Sequence, residues 1–188
     1  MSSKKELENS ELKAALEAKM SVQKVKKGTV LQRRGDIHLK GYIVKKGLLR
    51  SYTIDEKGKE HIFMFAPEGW TIGDVIALVD NRPTDLYVDA IEDSEVEMAS
   101  VEIQLKYIEN LFMEDVPMEI KRLIKRIGVL QRRVIMLMSA TALERYQDFV
   151  STYPQIVQRV PQKMIASYLG VTPEALSKLR SELVKAKK

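Results

Sequence analysis

Along this 188-residue chain the period of the hydrophobic positions changes twice. Residues 1–20 place Leu7, Leu12, Ala15, Leu16 and Met20 at helical intervals and predict an amphipathic helix. From Val22 to about Val101 the apolar runs turn short: TVLQ, GYIVKKG, LLRSYTI, HIFMFA, DLYVDAI and EVEMASV, with glycines 28, 35, 41, 47, 58, 69 and 73 between or beside them. Short strands punctuated by glycine predict a β-sandwich, jelly roll or barrel. DEKGKE, between two such runs, is the best hairpin loop. After that the helical period returns. A long helix is expected from Pro117, where Ile120, Leu123, Ile127, Leu130, Val134 and Leu137 fall at steps of 3, 4, 3, 4 and 3. That is the spacing of a coiled-coil seam. Two readings stand: an amphipathic helix packed on its own domain, or a two-fold helix pair that makes a homodimer. Ile124 and Ile135 widen the stripe, so one face can meet the β-domain while another meets the partner.

The tail carries the most specific pattern. SATALERYQDFVSTYP predicts a helix ending before Pro154. In PQKMIASYLGVTPEALSKLR, Pro161 opens a helix, Met164, Ile165, Ala166 and Leu169 supply its apolar positions, and Gly170 offers the left-handed backbone of a sharp turn. Thr172 is the expected N-cap of the next helix, Pro173 suits its first turn, and Glu174 suits its positive end. Leu176 and Leu179 face back toward the preceding helix. Small residue, glycine and aliphatic residue at Ala166, Gly170 and Leu176 fit a helix-turn-helix, against the plainer alternative of an ordinary helical hairpin. In such a unit the second helix enters the major groove with its N-terminal residues first. Thr172, Pro173, Glu174, Ser177 and Lys178 are then the candidate base readers: Glu174 suits cytosine N4, and Lys178 guanine O6 or N7. Gln162, Lys163, Arg180 and Lys185 suit phosphates.

Charge sharpens this division. Residues 1–120 carry 17 Lys/Arg and 22 Asp/Glu, a net −5, whereas residues 121–188 carry 14 and 4, a net +10. A basic tail on an acidic front suits a polyanionic partner at one end, or else a solvated basic face. Cysteine is absent, which excludes disulfides and thiolate metal sites. No apolar run approaches the roughly 18 residues of a membrane span, and no secretory signal is evident, so a cytoplasmic protein without membrane attachment is expected. The only histidines are His38 and His61, fewer than a metal-dependent cupin enzyme ordinarily uses. No catalytic triad, P-loop or paired-carboxylate spacing stands out, so no catalytic residue and no metal site is assigned, and the chain is not expected to be an enzyme. The nine methionines are read mostly as core fillers and Trp70 as a buried structural residue.

VKKGTVLQRRGD and YIVKKGLLRSYTIDEKGKEHIFMFAPEGWTIGD resemble the opening of a cyclic-nucleotide-binding-type domain, the sensor of the CRP/FNR superfamily of transcription regulators. YLGVTPEALSKLR is similar to the branch of that family found in Bacteroidetes-type bacteria. The resemblance implies an α+β chain: a β-roll or jelly-roll sensor (double-stranded β-helix) over 1–116, a dimerisation helix over 117–138, and a C-terminal, winged helix-turn-helix domain over 139–188. Any wing must be short or come from about 153–161. The ligand pocket falls on WTIGDVIALVDNRPTDLYVDAIED, with Gly73, Asp74, Val75, Arg82, Thr84 and Asp85 as its candidate residues. Gly73-Asp74 stands where the family has Gly-Glu, Thr84 takes the place of the phosphate-binding arginine, and Arg82 lies two residues earlier. A buried phosphate without a guanidinium is costly, so an empty pocket or another ligand is favoured over a cyclic nucleotide. In the reading helix Pro173 replaces the family's first arginine, which puts its usual DNA sequence in doubt. The expected partners are a near-palindromic duplex operator, a second copy of the chain, an unknown small-molecule effector and RNA polymerase. The rival reading is a cupin-like binding protein or enzyme whose helical tail only dimerises; a third is a regulator without effector, controlled by its own abundance.

Overall fold

Strand alternation decides what the front half buries. In the computed structural model, which describes residues 21–37, 40–74, 76–77, 80, 82–100 and 116–186, eight strands form two four-stranded antiparallel sheets. They are β1 (Ser21–Val25), β2 (Val30–Gln32), β3 (Lys40–Lys46), β4 (Leu49–Ile54), β5 (Glu60–Ala66), β6 (Thr71–Ile72), β7 (Tyr87–Ala90) and β8 (Ser94–Ser100). One sheet runs β1-β8-β3-β6 and the other β2-β7-β4-β5. Their facing sides meet in one core of Val25, Tyr42, Val44, Leu49, Met64, Ala66, Ile72, Val88, Ala90, Val96 and Met98, with Leu31 and Trp70 packed against it. Burying each such side chain is worth about 1.5–3 kcal/mol. The expected roll is therefore present. DEKGKE is the β4–β5 loop: the Gly58 N–H donates to Asp55 O at 2.9 Å and the Asp55 N–H to Lys59 O at 3.0 Å.

The helical part contains α1 (Val116–Ser139), α2 (Ala142–Thr152), α3 (Gln162–Leu169) and α4 (Pro173–Ala186). Thr141 and Glu144 form a reciprocal capping box that starts α2. Phe149, Tyr153, Ile156, Val160, Ile165, Ala166, Tyr168, Leu169 and Leu176 are the buried apolar residues of this helical part. Phe149, Tyr153 and Tyr168 pack ring against ring, with centroids 5.2–5.9 Å apart. The described residues divide into two compact units, and the division does not follow the strand order: Ile54–Ile62 of the hairpin group with the helices from Glu119 onward. The segment expected to supply a wing forms turns over 154–159, and among the described residues no strand follows β8. No wing is therefore seen among the described residues. The N-terminal helix expected over 1–20 lies outside the described residues.

Candidate ligand pocket and nucleic-acid interface

Two of the residues expected at the ligand pocket of the roll, Asp74 and Thr84, are hydrogen-bonded to each other. Gly73 holds φ at +150°, and a Cβ there would meet the Lys40 carbonyl at 3.3 Å, so only glycine fits. The backbone then delivers Asp74, whose Oδ1 accepts from the Ala77 N–H at 3.1 Å. Its Oδ2 accepts from the Thr84 hydroxyl at 2.9 Å. Thr84 Oγ1 in turn accepts from Gln32 Nε2 and from the Leu86 N–H, both at 3.1 Å. The Thr84 main chain is also paired, to Asp36 O at 3.0 Å and to the Gly35 N–H at 2.8 Å. At 1% exposure Thr84 is a satisfied buried hub, not a vacant phosphate site. Among the described residues no cation bonds to Asp74 or Thr84. The other candidates do not join them: Arg82 donates to Pro83 O at 3.3 Å and pairs with Asp85 at 3.4 Å on the surface, and Val75 lies outside the described residues. Sequence reasoning missed Gln32, whose polarity in a three-residue strand was the available signal. Its Oε1 and the Oγ of Ser51 are buried without a hydrogen-bond partner, on the two strands that flank Val88.

The helix-turn-helix is built as its residues require. Gly170 takes φ +68° and ψ +34°, donating to Ser167 O at 3.1 Å while the Val171 N–H reaches Ala166 O at 3.0 Å. This pair of bonds closes α3 in a Schellman turn. A Cβ on Gly170 would stand 3.5 Å from Leu137 Cδ2, an ordinary contact, so the left-handed backbone is what demands glycine. Thr172 Oγ1 accepts from the Ala175 N–H at 3.2 Å and starts α4, with Glu174 in its first turn. Leu176 is 1% exposed and locks α4 inward. Thr172, Pro173, Glu174, Ser177 and Lys178 are all exposed, and Pro173, Glu174, Ser177, Lys178 and Ser181 line one open depression. Gln162 and Lys163 are exposed at the start of α3, and Arg180 is half-buried.

On α1, Ile127, Val134, Ile135, Leu137 and Met138 are left exposed at 63, 55, 53, 43 and 82%, an apolar face too large for solvent, while Leu130 is half-buried. The side chains of Ile120 and Leu123 lie outside the described residues. Two basic residues of this helix find partners within the unit, Arg132 at the surface and Arg133 half-buried. Arg132 pairs with Asp148 of α2. Arg133 donates to Ile62 O at 2.8 Å and Tyr168 O at 3.1 Å, and its guanidinium lies 4.1 Å from the Tyr168 ring centroid. Burial pulls the Arg133 pKa below its ordinary value and pushes the Tyr153 and Tyr168 phenols up. Sequence reasoning also missed a buried arginine in the roll. Arg50 of β4 grips Asp89 of β7 through Nε at 2.8 Å and Nη2 at 2.9 Å, and stacks over Tyr52 at 4.1 Å. His61, one of the two histidines weighed for metal binding, is bonded to Asp55 within the hairpin at 2.8 Å, and His38 lies outside the described residues.

Comparison with known proteins joins these observations. The cyclic nucleotide-binding domain family matches residues 22–115. The fumarate and nitrate reduction regulatory protein of Vibrio cholerae is 29% identical over 96% of this chain and 74% of its own length. Among solved structures, FixK2 from Bradyrhizobium japonicum superimposes with a TM-score of 0.74 at 19% identity, covering 89% of this chain and 86% of that one. A CRP/FNR-family transcriptional regulator from Thermus thermophilus gives 0.72 at 17% identity, covering 88% and 87%. The fold resembles those of the CRP/FNR-family regulators, and the chain belongs to the cyclic nucleotide-binding domain family.

Proposed function

We propose that this protein is a dimeric transcription regulator of CRP/FNR type, which binds duplex DNA through α4. The observation that carries it is the state of that helix. Its cap and its inward Leu176 are satisfied, while Glu174 and Lys178 stand exposed with no hydrogen bond or ion pair among the described residues. Side chains held on a rigid helix and left unspent are what base edges require. The exposed apolar face of α1 supports pairing with a second copy, which would set two reading helices about one DNA turn, roughly 34 Å, apart. Base reading is assigned to Thr172, Pro173, Glu174, Ser177 and Lys178, and phosphate contact to Gln162, Lys163 and Arg180. The relatives are transcription regulators, and we read this chain as a non-enzyme acting in the cytoplasm; among the described residues no helix is long and apolar enough to cross a membrane.

The residues at the ligand position speak against a cyclic nucleotide as effector. Asp74 accepts from the Ala77 N–H, and Thr84, at the position of the family's phosphate arginine, is bonded within the roll, which favours an empty pocket or another ligand over a cyclic nucleotide. The reading is tested by titrating the purified protein with random genomic duplexes at two salt concentrations and sequencing what it retains. A recovered near-palindrome, with affinity falling steeply as salt rises, is expected. Indifference to every duplex at low salt sinks the proposal, and saturable binding of cyclic AMP at micromolar concentration sinks the reading against a cyclic nucleotide.

A further inference from the structure

The reading helix is only as well aimed as the helix before it, and α3 is held from two sides within its own unit. Ser167, on α3, donates its hydroxyl to Glu60 O at 2.8 Å and accepts from the Ile62 N–H at 3.0 Å. Arg133, on α1, takes the next carbonyl along, Ile62 O, at 2.8 Å and the Tyr168 carbonyl at 3.1 Å. β5 is an edge strand, and consecutive outward groups of its first residues are spent on these two side chains. Tyr168 O lies two residues before the Gly170 turn that launches α4. A single guanidinium therefore ties the seam helix, the hairpin and the last turn of α3 together. A planar fork with several donors can bridge two carbonyls and stack on a ring at the same time; a lysine ammonium cannot hold that plane.

We propose that Arg133 and Ser167 are positioning residues for DNA reading: they fix the presentation of α4 relative to α1, and thereby the half-site spacing that the dimer accepts. This rests on α4 meeting DNA, and neither residue touches DNA itself. The test uses the full-length dimer carrying Arg133→Ala, Arg133→Lys or Ser167→Ala. Binding is measured on a set of duplexes whose half-sites are moved apart one base pair at a time. Wild type should prefer one spacing sharply. Arg133→Ala should lose about tenfold at that spacing, the size of one charge-assisted hydrogen bond, and lose much less at neighbouring spacings. Arg133→Lys should fall between, and Ser167→Ala should show the same flattening more weakly. An equal loss at all spacings means a merely structural role and overturns the proposal.

A second readout does not depend on DNA. Amide exchange in the free dimer should quicken by about tenfold at Ile62 in Ser167→Ala and at Gly170 and Val171 in Arg133→Ala, with the rest of the helical unit unchanged. If exchange at these amides stays at wild-type rates, the pin is absent whatever the protein does with DNA. If exchange responds and no duplex binds, the pin stands and the DNA reading fails. Should Arg133→Ala not fold, Ser167→Ala decides the matter alone, because it deletes one exposed-side hydroxyl and no core volume.

Discussion

The roll and the reading head treat their polar side chains in opposite ways. In the roll, the residues at the ligand position are turned on one another: Asp74, Thr84 and Gln32 complete a buried relay in which the hydroxyl accepts twice and donates once. Arg50 and Asp89 are sealed into a bidentate pair at 6 and 8% exposure. In the reading head the apolar residues are spent on holding the turn, and Glu174, Ser177 and Lys178 face outward. The same polar chemistry is structural where it is satisfied internally and available for recognition where it is not. In this roll the carboxylate at the expected pocket position is taken up by a backbone N–H and a threonine hydroxyl of the same chain.

The contrast predicts where substitutions hurt. Arg50→Ala leaves a buried Asp89 carboxylate uncompensated and should cost about 3–5 kcal/mol of stability by urea unfolding. Replacing both partners with apolar residues of similar volume should recover most of that loss. A single mutant within about 0.5 kcal/mol of wild type would show that the pair is not structural, and the comparison would break at its strongest point. Thr84→Val is next. It strips the acceptor from Gln32 Nε2 and the Leu86 N–H and the donor from Asp74, so about 1–3 kcal/mol should be lost, with no gain in cyclic AMP binding by calorimetry. A variant of wild-type stability would return Thr84 to the status of a vacant phosphate position.

Lys178→Ala reverses the signs. Stability should move by less than about 0.5 kcal/mol, since the side chain is exposed. Affinity for the preferred duplex should fall by about 1–3 kcal/mol, and that for a duplex changed at the contacted base by much less. A uniform loss on every duplex would demote Lys178 to a phosphate contact.

How much of this was legible in the sequence follows the range of the interactions. The hairpin loop, the Gly170 turn and the Thr172 cap are each made within six residues, and the spacing of residue types discloses them. The roll was visible through alternation and glycine punctuation. The Arg50–Asp89 pair was not, because its members are 39 residues apart and meet only once β4 and β7 take their register. Gln32 and Thr84 are 52 apart for the same reason. Arg133, which belongs to the basic tail by sequence, was not singled out. Helical spacing gives each residue's angle round the axis but not which side a neighbour covers, and part of the +10 charge of residues 121–188 is spent inside the unit. Arg82 and Asp85 were named for their nearness to Thr84 in the chain, and nearness in sequence cannot see a surface pair that turns both away.

The smallest effect belongs to the hairpin that sits with the reading head. Asp55 accepts from the Lys57 and Lys59 N–H groups at 2.9 and 3.0 Å on one oxygen and from His61 Nε2 at 2.8 Å on the other. The His61 bond first, and then the Lys59 N–H, hold its carboxyl below the ordinary 3.8. A carboxyl depressed in the folded state contributes stability that is present above the unfolded value and is lost as pH falls through the folded one. The loop should therefore keep its bonds through neutral and mildly acidic pH and loosen only below about pH 3.8. The Lys57 and Lys59 amide resonances should titrate together with a midpoint under that value. His61→Ala should raise the midpoint toward it while leaving both amides bonded at neutral pH. A wild-type midpoint at or above 3.8 would mean that the tip is solvated. Its polar groups would then be as unspent as those of α4, and the division between satisfied and available polarity would not extend to this loop.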